Sequence, residues 1–387
     1  MTNLRIKKSI ICKNLGEDFK INRKMKTTYQ PQAGDLAVFR VLEIGKHPSI
    51  QGLNGNNTYI FPGDYIMMAF GNRYATEQFE GYIPDSYQRE YHILGKGGAV
   101  GVLASMHAKM ELKGPTTLRL VGYVTDLLTE EVLNTKELAG ELLPFQSNIE
   151  RPYQVILSLG TGMDSGKTTT AAFLSRGLML AGKKVAYIKL TGTVFTKDRS
   201  LVRDCGAEQV TDFSSMGFPS TYLCELPELL DLYETLLDRV TQNQTDYVVV
   251  EIADGLLQRE TSMLLQDAGF MQTVDHIVLS SVDSMGILHG IEWLDKYTGR
   301  QAKFLSGLFS ASPLLIKEAA AHTRLPILTL EEMASAEVLK YFSNFSAKSI
   351  FTSGNNGLNA TEPYTSSMEE KAHQLNGSHK RIAKLRP

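Results

Sequence analysis

The stretch Val155-Ile156-Leu157-Ser158-Leu159-Gly160-Thr161-Gly162-Met163-Asp164-Ser165-Gly166-Lys167-Thr168 constrains the fold of this chain more than any other. Apolar residues run into a Gly-rich turn that ends in Gly-Lys-Thr, and helix-forming residues follow at once. A strand, a loop and a helix in that order make a phosphate cradle. The loop N–H groups turn inward around an anion, and the new helix adds its partial positive end. Lys167 is then placed to reach the β- and γ-phosphates, and the Thr168 hydroxyl to ligate Mg²⁺. The residues expected to bind the nucleotide are Gly160, Thr161, Gly162, Asp164, Ser165, Gly166, Lys167, Thr168 and Thr169. The usual spacing has a glycine five residues before Gly166. Here that position is Thr161, and Gly160 lies one earlier.

The loop sits at the head of a stretch, 152–345, in which strand and helix patterns alternate. Strands are predicted at 155–159, 185–190, 247–252, 276–280, 304–309 and 327–330. Helices are predicted at 168–181, 226–242, 256–268, 287–297 and 313–323. Such alternation implies a P-loop NTPase α/β fold, a parallel sheet with helices on both faces. The stripe Leu229, Leu230, Leu232, Tyr233, Leu236, Leu237 and Val240 has helical period and reads as a buried face. Before this domain, residues 29–126 carry short β-type runs broken by turns such as Pro62-Gly63-Asp64, the texture of a small mainly-β barrel or sandwich. In that region Gly95 to Gly98, Asn72-Arg73-Tyr74 and His107 are candidates to face a ligand, with turn and core roles the commoner use of such residues. Residues 127–151 read as a connector with helical spacing over 127–143. Residues 1–28 read as a basic leader, with Met25 as an alternative start, and 346–387 as a disordered polar tail.

With 387 residues the chain has room for two domains, and a net charge of −2 gives no reason to expect nucleic acid or an anionic membrane as partner. Three cysteines with no CxxC pair suggest neither a disulfide framework nor a zinc site, which fits a cytoplasmic protein.

An NTPase also needs acids for Mg²⁺ and a charge for the transferring group. The run Asp246 to Gly255 places acids at the end of an apolar strand, where ligands bind in open α/β sheets. Glu251 is the first choice for Mg²⁺ or its water shell and Asp254 the second, so the expected metal residues are Thr168, Glu251 and Asp254. Lys189 ends the preceding strand and is expected to bind transferring oxygens, making Lys167, Lys189 and Glu251 the catalytic set. Asp198, Asp204 and Asp212 follow that strand, and any one of them is a candidate to complete the metal site. Asp164 lies inside the loop, where its charge calls for a cation or a substrate amine.

Gly160 to Thr168 resembles the phosphate loop of dethiobiotin synthetase and its relatives in the SIMIBI class of P-loop NTPases. Tyr187 to Gly192 is similar to that family's lysine-bearing strand end, Val250 to Gly255 to its acid strand, and Ser284 to His289 to a helix start. The resemblance covers roughly residues 153–342. It implies that Lys167, Lys189, Thr168 and Glu251 handle phosphates and Mg²⁺. The chain departs from the pattern at Leu190, Ile252, Asp254, Leu288 and in Ser310-Ala311-Ser312. No [NT]-K-x-D guanine motif follows the 304–309 strand, which favours ATP over GTP. The expected function is ATP- and Mg²⁺-dependent transfer of the γ-phosphoryl group to a small molecule, by a homodimer. The alternative is a nucleotide-switched ATPase or GTPase acting on a macromolecular partner.

Overall fold

The computed structural model describes residues 5–342. The tail expected at 346–387 lies outside the described residues. The first half of the chain is built of short strands: β1 (Ile6–Lys8), β2 (Phe19–Asn22), β3 (Leu36–Glu43), β4 (Ser49–Gln51), β5 (Asn57–Tyr59), β6 (Tyr65–Phe70), β7 (Phe79–Tyr82), β8 (Tyr91–Gly95), β9 (Ala99–Met106) and β10 (Thr117–Asp126). Strands β6, β3, β10, β8 and β9 pair in that order, and β6 pairs again with β9, so the sheet closes on itself. The expected β domain is a barrel.

Alternation along β3 and β6 explains the closure. Ala37, Phe39 and Val41 with Ile66, Met68 and Phe70 fill the interior beside Tyr91 and Tyr123. Phe39, Phe70 and Tyr91 meet edge to face, with centroids 5.5 to 5.8 Å apart. Each such pair adds about 0.5–1.5 kcal/mol beyond its area. The intervening residues Leu36, Val38, Met67 and Ala69 point outward, yet they too are buried. They share a core with Phe213, Met216 and Phe218 of the second half. Strands buried on both faces read as unbroken apolar runs, which is why Ile66-Met67-Met68-Ala69-Phe70 lacks a polar alternation.

The second half holds β11 (Gln154–Gly160), β12 (Val185–Lys189), β13 (Gln209–Asp212), β14 (Tyr247–Glu251), β15 (His276–Ser281) and β16 (Phe304–Gly307). They form a six-stranded parallel sheet in the order β13-β12-β14-β11-β15-β16. Helices α1 (Lys167–Leu180), α2 (Lys197–Asp204), α3 (Leu226–Val240), α4 (Arg259–Gln266), α5 (Ala268–Gln272), α6 (Ser284–Thr298), α7 (Pro313–Ala320) and α8 (Leu330–Met333) occur among its connections and after its last strand. The α3 stripe is buried except for Leu230, which is half-buried. The expected last strand at 327–330 reduces to one bridge, Leu305 to Ile327. Thr329 begins a helix there, with its hydroxyl accepting the Glu332 N–H in a capping box. Helix α2 and strand β13 add to the expected elements.

Within the basic leader, the described residues 5–28 supply two strands to the barrel, β1 beside β6 and β2 beside β10. The expectation for the other end of the barrel is corrected. The segment 127–151 is no helical connector. Its backbone is consumed by pairing, with the Leu36 N–H donating to Leu133 and the Leu133 N–H to Val124, which leaves only a 3₁₀ turn at Glu137–Ala139. Farther on it is pinned to α3 by Leu143 N–H to Thr235 Oγ1 (2.7 Å), Phe145 N–H to Asp231 (2.9 Å) and an Arg151–Glu234 ion pair (2.7 Å).

The barrel and the parallel sheet thus belong to one compact unit. Their seam is tight at Gly217, which has φ +76° and would place a Cβ 1.9 Å from the Thr135 carbonyl oxygen. Thr135 in turn donates its hydroxyl to the Gly217 carbonyl at 2.5 Å. Gly217→Ala is expected to destabilise the whole unit by about 1–3 kcal/mol, as overpacking against backbone does. Urea unfolding followed by a single cooperative transition checks this. An unchanged midpoint would show that the seam yields.

Candidate functional site

The first strand of the parallel sheet in the chain, β11, delivers the loop. Ser158 donates its hydroxyl to the Lys167 carbonyl (3.0 Å), fastening the strand to the start of α1. Three features set the loop's path. A Cβ on Gly160 would meet Ser165 Oγ at 2.1 Å, Asp164 holds φ +58°, and Gly166 holds φ +97° with Gly307 packed 3.1 Å from where its Cβ would be. Asp is one of the few side chains that tolerates the left-handed region. Thr161, where a glycine is usual, turns its hydroxyl to Ser281 Oγ (3.0 Å) and its N–H to the Ser280 carbonyl (2.9 Å). It ties the loop to β15 rather than lining the cavity. The first N–H groups of α1 lack intrahelical acceptors by helix geometry, so they remain to receive an anion.

Lys167 is buried, and its Nζ donates to the Gly162 carbonyl at 2.8 Å. Burial lowers its pKa, against the pull of Glu251 and Asp254. Glu251 is the hub. It accepts from Thr168 Oγ1 (2.9 Å) and from the Tyr187 hydroxyl (2.6 Å), and lies 3.5 Å from Lys189 Nζ. The parallel register places Lys189 opposite Glu251, and the period of two along β12 puts Tyr187 on the same face. Burial works against charge on Glu251, but Lys189, the Tyr187 hydroxyl, Lys167 and Thr168 outweigh it and hold the carboxyl below its ordinary range. Lys189 is raised despite burial, by Glu251 and by Asp198, with which it also pairs. It keeps its proton.

Of the three aspartates after β12, only Asp198 reaches the site. Asp212 is buried against Arg199 (3.2 Å) and caps Ser214. Asp204 ends α2 and does not line the cavity. Tyr187 is the residue that sequence reasoning missed. Its signal was two-residue spacing from Lys189 on a strand, but a tyrosine in an apolar strand reads first as core.

Above the loop lies a cavity of about 730 Å³. One wall is the parallel-sheet side, with Lys167, Thr168, Lys189, Glu251 and Asp254. The other belongs to the barrel, with Lys46, Arg73, Tyr74, Gln78 and Lys96. Of the barrel candidates, Arg73, Tyr74, Gly95 and Lys96 face this space. Asn72 instead accepts the Ile83 N–H (2.8 Å), His107 accepts the Lys109 N–H (3.1 Å), and Gly97 packs on Val194. A second cavity of about 300 Å³ opens on the far side of Gly166 and Thr169, lined by Leu308, Ser310, Ile316 and Thr329.

A Mg²⁺ ion suits the pair of hard oxygen donors that Thr168 and Glu251 present. Among the described residues no cluster of three or more His, Cys, Asp or Glu side chains is arranged for a metal. Mg²⁺ commonly takes one or two protein oxygens and completes its shell with phosphate and water.

Neither a protein-family model nor a curated protein sequence matches this chain. Among solved structures, the signal recognition particle receptor FtsY from Elizabethkingia anophelis in complex with GDP is similar over 55% of this chain and 75% of its own, at 14% identity and a TM-score of 0.34. Chloroplast FtsY from Physcomitrella patens is similar over 51% of this chain and 69% of its own, at 13% identity and a TM-score of 0.33. The parallel sheet, the strand–loop–helix geometry and the Lys167–Glu251 arrangement stand without these likenesses, and they are those of a phosphate-binding loop.

Asp254 gives a test of the site's electrostatics. It is half-buried, and burial raises its pKa against the pull of Lys167, Lys189 and Arg73. A carboxyl raised by folding contributes stability below its ordinary pKa and loses it as pH rises through the folded value. Without nucleotide, Asp254→Asn is therefore expected to melt higher than the parent at pH 7, with the gap closing as pH falls toward about 4. Thermal unfolding across that range checks it. A variant that melts lower at pH 7 would show the carboxylate to be net paired.

Proposed function

We propose that this chain is an ATP- and Mg²⁺-dependent P-loop enzyme that transfers the γ-phosphoryl group to a small molecule held between the phosphate loop and the barrel. The observation that carries this reading is the second wall. The space over Lys167 and Lys189 is walled on one side by the chain's own barrel, giving a half-open cleft of small-molecule size. A switch that reads a macromolecule would need that side of the phosphates open to a partner.

In this reading the triphosphate lies along the loop, with the purine in the second cavity beside Leu308 and Ile316. That cavity shares Gly166, Thr169 and Leu308 with the first, so one ligand can span both. Lys167 moves from the Gly162 carbonyl onto the phosphate oxygens. Thr168 and Glu251 would hold Mg²⁺, which would neutralise phosphate charge. Lys189, fixed by Asp198 and Glu251, keeps a full positive charge at the end of β12 for the charge that develops on the transferring group. An ionised acceptor oxygen bonds to the γ-phosphorus as the bond to the β–γ bridging oxygen breaks, giving phosphorylated acceptor and ADP with no proton to remove.

Phosphate release from ATP and GTP, with Mg²⁺ and a panel of small carboxylates, amines and alcohols, tests the proposal. Lys167→Ala should weaken nucleotide binding and abolish turnover. Glu251→Gln should keep nucleotide binding and lose Mg²⁺-dependent turnover, by about 10–100-fold if the residue holds the metal's water shell. Full activity in Glu251→Gln would overturn the metal assignment. Slow hydrolysis that no small molecule changes would move the function to the nucleotide switch.

A further inference from the structure

The barrel wall is the part of the site that the phosphate chemistry does not use, and its charge is one-sided. Among the described residues lining the cavity, the barrel contributes Lys46, Arg73 and Lys96 and no carboxylate. Across the cavity, Lys189 already has Asp198 and Glu251 as partners. Arg73 has no such partner. It is 8% exposed and has no carboxylate oxygen within 4 Å among the described residues, while Asp254 is the charge that acts on it. Its guanidinium is held by neutral acceptors alone, the Leu94 carbonyl on one terminal nitrogen and Gln78 Oε1 (2.9 Å) on the other. Its Nε is buried without a hydrogen-bond partner. His47 beside it is also buried, with Nδ1 unpartnered.

A buried guanidinium without a counterion carries an uncompensated desolvation cost, and that cost is returned when an anion arrives. The surroundings match a small anion rather than a polymer. Arg73 is held by Leu94 and Gln78 on one side, Lys46 and Lys96 add positive charge, and Tyr74, Val194 and Phe195 supply non-ionic surface. A fixed guanidinium fork complements the planar, two-oxygen face of a carboxylate.

We propose that Arg73, flanked by Lys46 and Lys96, is the seat for the carboxylate of a small-molecule acceptor, which the barrel holds opposite the phosphate loop. This rests on the phosphoryl-transfer reading and adds the acceptor's class. The barrel is then the specificity element of the enzyme. The other anion that could reach the seat is the nucleotide's own γ-phosphate, and the experiment separates the two.

The full chain is titrated, without nucleotide, with malonate, succinate, glutarate and benzoate, and with their amides, and binding is read by thermal shift and calorimetry. ATP affinity is measured separately on the same protein, so a failed nucleotide reading and a failed carboxylate seat give different results. At least one carboxylate is expected to bind and stabilise where its amide does not. Arg73→Gln is expected to weaken that binding by about tenfold or more, as loss of a charge-assisted contact does. Because Arg73 also ties down Leu94, the half-buried Lys46→Gln and Lys96→Gln provide independent variants, each expected to weaken the carboxylate severalfold. Three results would overturn the proposal: no stabilisation by any carboxylate, equal effects of carboxylates and amides, or a loss confined to ATP in Arg73→Gln.

Discussion

The site depends on one buried carboxylate. Glu251 stands at the end of a strand whose other residues are apolar, and it is tolerated there because Thr168, Tyr187 and Lys189 surround it. Hydrogen bonds to a charged group are worth about 1.5–3 kcal/mol each. Removing one partner while leaving the charge costs more than the bond itself. The same contacts join α1, β12 and β14, so the geometry that stabilises the charge also sets the phosphate loop against the lysine strand. Function and folding are coupled at this residue.

A second constraint is the double burial of β3 and β6. Because their outward faces pack on Phe213, Met216 and Phe218, the barrel is fixed against the parallel sheet rather than tethered beside it. Contacts such as Thr196 N–H to Gln51 Oε1 (3.1 Å) carry the joint to the rim of the cavity. Arg73 and Lys96 are therefore carried by a rigid element, which is what a positioned binding wall requires.

The sequence made the phosphate loop, the parallel sheet and the β texture of the first half legible, because each rests on local pattern. Gly-Lys-Thr at a strand-to-helix junction has few other uses, and β14 reads as a buried parallel strand from Tyr247-Val248-Val249-Val250 alone. What was not legible depends on distant contacts. The strands at Ile6–Lys8 and Phe19–Asn22 are polar and short, and only pairing with β6 and β10 makes them strands. Tyr187 acquires its place in the site from Glu251, 64 positions away. Ile327 to Leu330 has strand composition, but a capping box at Thr329 overrides it.

Hydrogen–deuterium exchange of the full chain, with and without ATP and Mg²⁺, tests the account's central claim most directly. Bound nucleotide is expected to slow exchange at residues 162–169 and, through the second cavity, at 307–311 and 329–331. Protection at both places, lost when Lys167 is replaced by alanine, is the predicted result. Exchange that ATP leaves unchanged at the loop would contradict the assignment of Gly160 to Thr169 as a nucleotide site.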